Sequence, residues 1–171
     1  MSDSQYVHPR VLKFNIGFLL VQGAGHQRDM ELDLPRLRLD DDVELDFLTG
    51  TLRLSRNSRG VLAQGKLKTQ IVGECVRCLE PITTPVELEL EELFSYPPSP
   101  ETPYSVDDTG ILDLAPLLRE EAILAVPMGA LCRPDCAGLC LECGQNLNEA
   151  TCDCKADDID PRLAILRQLR E

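Results

Sequence analysis

The sequence is poor in aromatic residues: four Phe, three Tyr and no Trp. An aromatic core is therefore excluded, and Leu, Val and Ile must build the interior. The same scarcity excludes the stacking stripe by which single-strand RNA binders hold bases. Long apolar runs are missing too. Near the start the longest is Ile16 to Val21, far too short for a signal peptide or a membrane span, and no basic region precedes it. The two histidines, His8 and His26, lie in no nucleophile motif, and the chain has neither a phosphate-binding glycine loop nor a Gly-x-Ser-x-Gly elbow. The expectation is a protein that is not an enzyme and takes no small-molecule substrate. Basic residues are outnumbered, 17 Lys and Arg against 29 Asp and Glu, for a formal net charge of −12. Such an acidic protein is repelled at long range by a phosphate backbone, which disfavours broad, non-specific nucleic-acid binding.

What is present is ordinary for a folded domain. Hydrophobic residues make up 43% and charged residues 27% of 171 positions, enough for one domain with a small appended module. The absence of a targeting segment suggests a cytoplasmic protein, or one in an equally reducing compartment. There, eight cysteines are better read as metal or redox groups than as disulfides.

Residues 1–10 read as a flexible leader and 11–21 as a strand, ended by Gly23 and Gly25. Residues 28–46 are acidic, with a turn at Asp40–Asp42. Val43, Leu45 and Phe47 then alternate with Glu44 and Asp46, the signature of a half-buried strand. The apolar phase shifts to Leu52 and Leu54 across Gly50, where a bulge is expected. After a turn at 55–60, a strand presents Val61, Ala63, Leu67, Thr69 and Ile71 on one face. The next presents Val86, Leu88 and Leu90 inward and Glu87, Glu89 and Glu91 outward. Residues 95–110, with four prolines, read as a loop. A helix is expected over about 114–126, capped by Asp113, with Pro116 in its first turn and Pro127 ending it. The fold class is α+β: an antiparallel β-sheet meander covered by one helix. The core spans 11–130; a C-terminal Cys-rich zinc module with a short terminal helix (Leu163, Leu166, Leu169) fills 131–171.

The cysteines carry the chemistry. Cys140-Leu-Glu-Cys143-Gly144 is a knuckle in which two thiolates can grip one ion, Gly144 supplying the positive φ that closes the turn. Cys152-Asp-Cys154 follows, with i and i+2 side chains on one side of an extended segment. These four make one tetrahedral thiolate site. Cys75-Val-Arg-Cys78 is a second knuckle without a nearby partner pair; Cys132 and Cys136 are the cysteines left to complete it. Alternatively, Cys132 or Cys136 could replace a member of the last group. A redox Cys-x-x-Cys needs a helix starting at its first cysteine, and Leu79-Glu80-Pro81 argues against one. An iron–sulfur cluster is the other alternative, because Cys132-x3-Cys136-x3-Cys140-x2-Cys143 superficially resembles a cluster run. The knuckle followed by Cys-x-Cys favours zinc. With four thiolates the ion has no open position and is structural.

These segments together are familiar. Glu74-Cys-Val-Arg-Cys-Leu-Glu-Pro81, a helix ending Ala122-Ile-Leu-Ala-Val-Pro127, Cys132 through Asn148, Cys152-Asp-Cys154 and Asp160-Pro-Arg-Leu-Ala164 resemble, in order, the YceD-like family of large ribosomal RNA subunit accumulation proteins. The resemblance covers roughly residues 70–170. It implies a role in accumulation of 23S ribosomal RNA and in large-subunit assembly, with ribosomal RNA or an assembly intermediate as partner and no known enzymatic activity.

Residues 51–72 contain Arg53, Arg56, Arg59, Lys66 and Lys68 and no acid. Lys66 and Lys68 are read as cross-strand partners of Glu87 and Glu89. Arg53, Arg56 and Arg59 lack such evident partners and are the candidates for RNA contact. Residues 86–108 carry seven acids and no base, and 28–46 carry eight acids against three arginines. Such surfaces could hold a basic ribosomal protein, or simply keep the protein soluble.

Overall fold

A computed structural model describes residues 6–40 and 42–154. The expected terminal helix, with Leu163, Leu166 and Leu169, lies outside the described residues, as do the first five positions of the leader.

The chain enters through a 3-10 turn, Pro9–Leu12, then a short strand β1, Lys13–Asn15, and a single-turn helix α1, Gly17–Val21. This corrects the expectation of one strand over 11–21. Leu12, Ile16 and Leu19 are the buried residues, and their spacing of four and three is helical, not the alternation of a strand. The Asn15 side chain accepts from the Gly17 N–H at 3.1 Å and turns the backbone at that point.

Two more strands follow, β2 at Gln27–Leu34 and β3 at Leu37–Leu39. Met30, Leu32 and Leu34 alternate there with Asp29, Glu31 and Asp33, so the acidic segment is strand as well as charge. Asp40, at φ 59°, makes the expected turn. The long strands come next: β4 Val43–Arg56, β5 Gly60–Glu74 and β6 Pro81–Ser95. They form the expected antiparallel meander, and both β2 and β3 pair with β4. Val61, Ala63, Leu67, Thr69 and Ile71 are all buried, as are Leu88 and Leu90, while Glu87, Glu89 and Glu91 are exposed.

The bulge is displaced from its expected position. Register shifts between Leu45 and Leu48, so Asp46 and Phe47 together face Gln70, and Leu48 takes the buried place. The Phe47 carbonyl accepts from the hydroxyl of buried Thr69, so both polar groups find a partner there. Gly50 serves a different purpose. It has φ 145°, and a Cβ there would lie 2.3 Å from the Lys66 carbonyl oxygen.

Residues 95–110 are not all loop. Strand β7, Tyr104–Ser105, returns parallel to the end of β6, and β8, Ile111–Asp113, pairs antiparallel with β1. Tyr104 lies against Phe94 with ring centroids 5.4 Å apart. Helix α2, Ala115–Ala125, then crosses the inner face. Asp113 accepts from the Ala115 N–H at 3.1 Å, and the chain leaves helical geometry at Val126, before Pro127. Leu114, Leu117, Leu118 and Ala122 join the sheet's inner residues in one leucine-rich core. Ala125 and Val126, expected on the same face, are half-buried against it.

Gly50→Ala combines a backbone conformation unfavourable to L-residues with a main-chain clash. It should cost about 2 kcal/mol or more, measured as a lowered chemical-denaturation midpoint. An unchanged midpoint would contradict this packing.

Candidate metal centres

Strands β5 and β6 are joined by a knuckle. Their ladder closes at Glu74 opposite Pro81, and Cys75–Glu80 make the connection. Within it the Cys75 N–H donates to the Glu80 carbonyl and the Leu79 N–H to the Cys75 carbonyl, both at 2.9 Å. Residues 140–145 repeat this pattern: Cys140 N–H to the Gln145 carbonyl at 2.8 Å, and Gly144 N–H to the Cys140 carbonyl at 2.9 Å. The position after the second cysteine is left-handed in both, φ 60° at Leu79 and φ 73° at Gly144. The sequence advertises the second knuckle through its glycine. The first holds a leucine in the same strained geometry.

Beyond α2 the chain returns to the sheet end. The Val76 N–H donates to the Ala130 carbonyl at 3.0 Å and the Leu139 N–H to the Arg77 carbonyl at 3.0 Å. The Arg77 guanidinium donates to the Cys136 carbonyl at 2.8 Å. These contacts bring Cys132 and Cys136 over the first knuckle. Cys75 Sγ lies 3.8 Å from Cys136 Sγ, and Cys78 Sγ lies 3.6 Å from Cys132 Sγ. The eight cysteines form two groups, Cys75, Cys78, Cys132, Cys136 and Cys140, Cys143, Cys152, Cys154, with the sulfurs of each group within 4.8 Å of one another. Each group could hold one metal ion.

The spacing fits that chemistry. A tetrahedral ion with metal–sulfur bonds of about 2.3 Å requires sulfurs about 3.8 Å apart, whereas a disulfide needs about 2.05 Å. All eight cysteines are free. The first group is the more enclosed: Cys75, Cys78 and Cys136 are buried with Ile82, Leu131 and Leu139 packed around them, and Cys132 alone of the four is exposed. In the second, Cys143 and Cys154 are exposed.

Charge in each group is uneven. Burial pushes the Cys75 thiol up, but the backbone amides of Cys132, Cys78 and Arg77 outweigh it and lower the pKa to about 6. Amides of Cys143 and Glu142 lower Cys140 to about 7. Burial and the neighbouring sulfurs, Cys136 first, push Cys132 up to about 12. Cys154 rises to about 12 because Cys143 shares its proton and burial disfavours the anion. In each group the readily ionised thiols, Cys75 with Cys136 in the first and Cys140 in the second, oppose ionisation of a neighbour. A bound cation removes that opposition.

Side chains outside the cysteines hold the first group in place. Asn148 Nδ2 donates to Cys136 Sγ at 3.4 Å, while its Oδ1 accepts from the Ala137 N–H at 2.8 Å and from Arg133 at 2.7 Å. Asn146 Nδ2 donates to Glu80 at 2.9 Å. Cysteine spacing alone gives no sign of these asparagines, although both lie in the segment that carries the family resemblance.

The basic stretch is largely paired. Lys66 makes an ion pair with Glu89, as expected, and Lys68 stands opposite Glu87. Arg53, however, does have a partner. Its guanidinium holds both oxygens of Asp29 on β2, at 2.7 and 2.9 Å, and keeps that carboxyl below its usual range. Arg56 folds back on its own turn, donating to the Asn57 and Gly60 carbonyls and lying over Tyr96. Arg59 is exposed, and its guanidinium has no partner among the described residues.

Residues 63–170 match the family described as "Large ribosomal RNA subunit accumulation protein YceD". An uncharacterized protein of Mycobacterium tuberculosis is 36% identical over 146 residues, covering 81% of this chain and 68% of that protein. A chloroplastic protein of Zea mays, named large ribosomal RNA subunit accumulation protein YCED homolog 1, is 26% identical over 170 residues, covering 80% of this chain and 55% of that protein. Its Arabidopsis thaliana namesake is 37% identical over 60 residues, 35% of this chain and 19% of that protein. No solved structure matches.

Titration of the reduced protein with Co2+ should develop thiolate charge-transfer absorption that saturates at two equivalents. Asn148→Ala should weaken the first group about 10- to 100-fold in competition with a chelator and leave the second unchanged. Equal weakening of both would contradict the assignment of Asn148 to Cys136.

Proposed function

The chain belongs to the family of the large ribosomal RNA subunit accumulation protein YceD, and on that footing we propose that it is a non-enzymatic assembly factor supporting 23S ribosomal RNA accumulation and large-subunit biogenesis. Family membership is the observation that carries this reading. The partners are ribosomal RNA or a large-subunit assembly intermediate, including basic ribosomal proteins, and the setting is cytoplasmic. Among the described residues no helix is long and apolar enough to cross a membrane.

Zinc is the metal this reading assigns to both cysteine groups, as a structural ion. Sulfur spacing suited to one ion supports it, since the cysteines of a multi-iron cluster bind separate irons and stand further apart. A tetrahedral ion with four protein ligands has no open position for chemistry. Direct RNA contact through the basic stretch draws on Arg59 more than on Arg53 or Arg56, whose guanidinium groups are already engaged. Contact through protein is the second reading, favoured by that pairing and by the net charge of −12.

Depletion of the protein in cells should lower mature large subunits relative to small subunits in sucrose-gradient profiles, with 23S ribosomal RNA falling in parallel; normal profiles would overturn the leading reading. The purified protein should be colourless and contain two zinc ions per chain by elemental analysis. A visible charge-transfer spectrum with bound iron would overturn the zinc assignment.

A further inference from the structure

Among the described residues, one side of strand β6 is an open edge. The strand pairs with β5 along its whole length, from Pro81 to Ser95, but on its other side it meets, among those residues, only β7, at Phe94 and Ser95. Among the described residues, Ile82 to Leu93 therefore have no strand on that side. A row of unpaired backbone donors and acceptors is a template for another strand.

The edge has a distinct chemical character on each face. Outward, Glu87, Glu89 and Glu91 are exposed. Glu89 pairs with Lys66, Glu91 takes one hydrogen bond from Gln64 at 3.3 Å, and Glu87 has no ion pair among the described residues. Residues 81–95 contain no basic side chain. The other acidic segment is more fully neutralised, since Arg36 pairs with Asp46 and Arg38 with Glu44. At the metal end of the edge lies a cavity of about 490 Å3, with Ile82, Thr83 and Pro85 on one wall and Pro127, Ala130 and Leu131 on the other. Met128, between Pro127 and Gly129 of that wall, is fully exposed.

We infer that the free edge of β6 takes up an extended, cationic segment of a partner protein by strand addition. An added strand puts alternate side chains beside Glu87, Glu89 and Glu91, where Lys or Arg pairs across the strands. The intervening side chains turn to the face of Val86, Leu88 and Leu90, and where the added strand runs past Ile82 to Pro85 it borders the cavity, whose proline and aliphatic walls favour apolar groups. A second copy of β6 is a poor occupant, because it would set glutamate against glutamate. RNA, a polyanion, is repelled by the same row. The partner is thus a basic protein segment alternating cationic and apolar residues. This goes beyond a role in ribosomal RNA accumulation, and binding of a peptide to the purified chain is measured independently of that role.

The test uses the full chain and a fluorescent synthetic peptide of alternating lysine and valine. The peptide should bind saturably at one site, with affinity falling as salt rises. It should slow hydrogen exchange at the outward-facing amides between Ile82 and Leu93. A peptide N-methylated at alternate residues, so that its charges remain but one edge loses its N–H groups, should bind about tenfold more weakly or worse when the blocked edge is the pairing one. Glu87→Gln with Glu91→Gln, both at exposed positions, should also weaken binding. Equal affinity for both N-methylated forms and the parent would overturn strand addition. So would amides of β6 already protected in the free protein, which would mean that the chain itself or a second copy covers the edge. A matching glutamate–valine peptide binding as tightly would overturn the charge argument.

Discussion

Four sulfurs held within 4.8 Å of one another are the constraint on which this end of the molecule depends. As thiolates they repel each other; as thiols they are weak hydrogen-bonding groups with little to draw them together. A single cation at the centre would turn the repulsion into attraction. In the first group it would also join parts of the chain that are distant in sequence: Cys78 and Cys132 are 54 positions apart, and Cys75 and Cys136 are 61. Closing such a loop costs conformational entropy that only a strong local interaction can offset. Metal binding by thiolates releases about 10–16 kcal/mol in small zinc peptides, more than the hydrogen bonds around Arg77 and Asn148 can supply.

The sheet sets where that interaction acts. In place of an ordinary hairpin turn, β5 and β6 end in a cysteine knuckle, so an ion held by the first group would be anchored directly to the two longest strands. From there Ala130, Leu139 and Asn146 are tied to the knuckle through backbone and side-chain hydrogen bonds. The second cysteine group starts one residue after Leu139, and its position follows from the first. The more enclosed group is thus the attachment, and the more exposed group lies within residues 140–154 that follow it. The leucine-rich core under α2 is separate from both.

Alternation made β4, β5 and β6 readable in the sequence, and α2 was bounded by Asp113 and Pro127. Knuckle spacing and the helix returning the chain to the sheet favour this division of the cysteines but leave Cys132 and Cys136 interchangeable with members of the last group; the sulfur positions make the grouping. Other features were hidden for physical reasons. Residues 11–21 are apolar nearly throughout, so their helical spacing was masked. In 27–39 the high acidic charge masks an alternation as regular as that of 43–47. The shift of apolar phase revealed a bulge but not its place, because Gly50 marks a close approach of β4 to β5 and the extra residue sits at Asp46 and Phe47. Arg53 meets Asp29 through the β2–β4 pairing, which local sequence does not reveal, and β7 and β8 are too short to carry a period. Leu79 adopts a glycine-like conformation that no propensity would assign to it.

X-ray absorption at the metal edge of the purified protein tests the central claim most directly. The account predicts four sulfur neighbours per ion at about 2.3 Å, no nitrogen or oxygen ligand, and no metal–metal scattering. Fewer than four sulfurs, or a neighbouring metal atom, would contradict it.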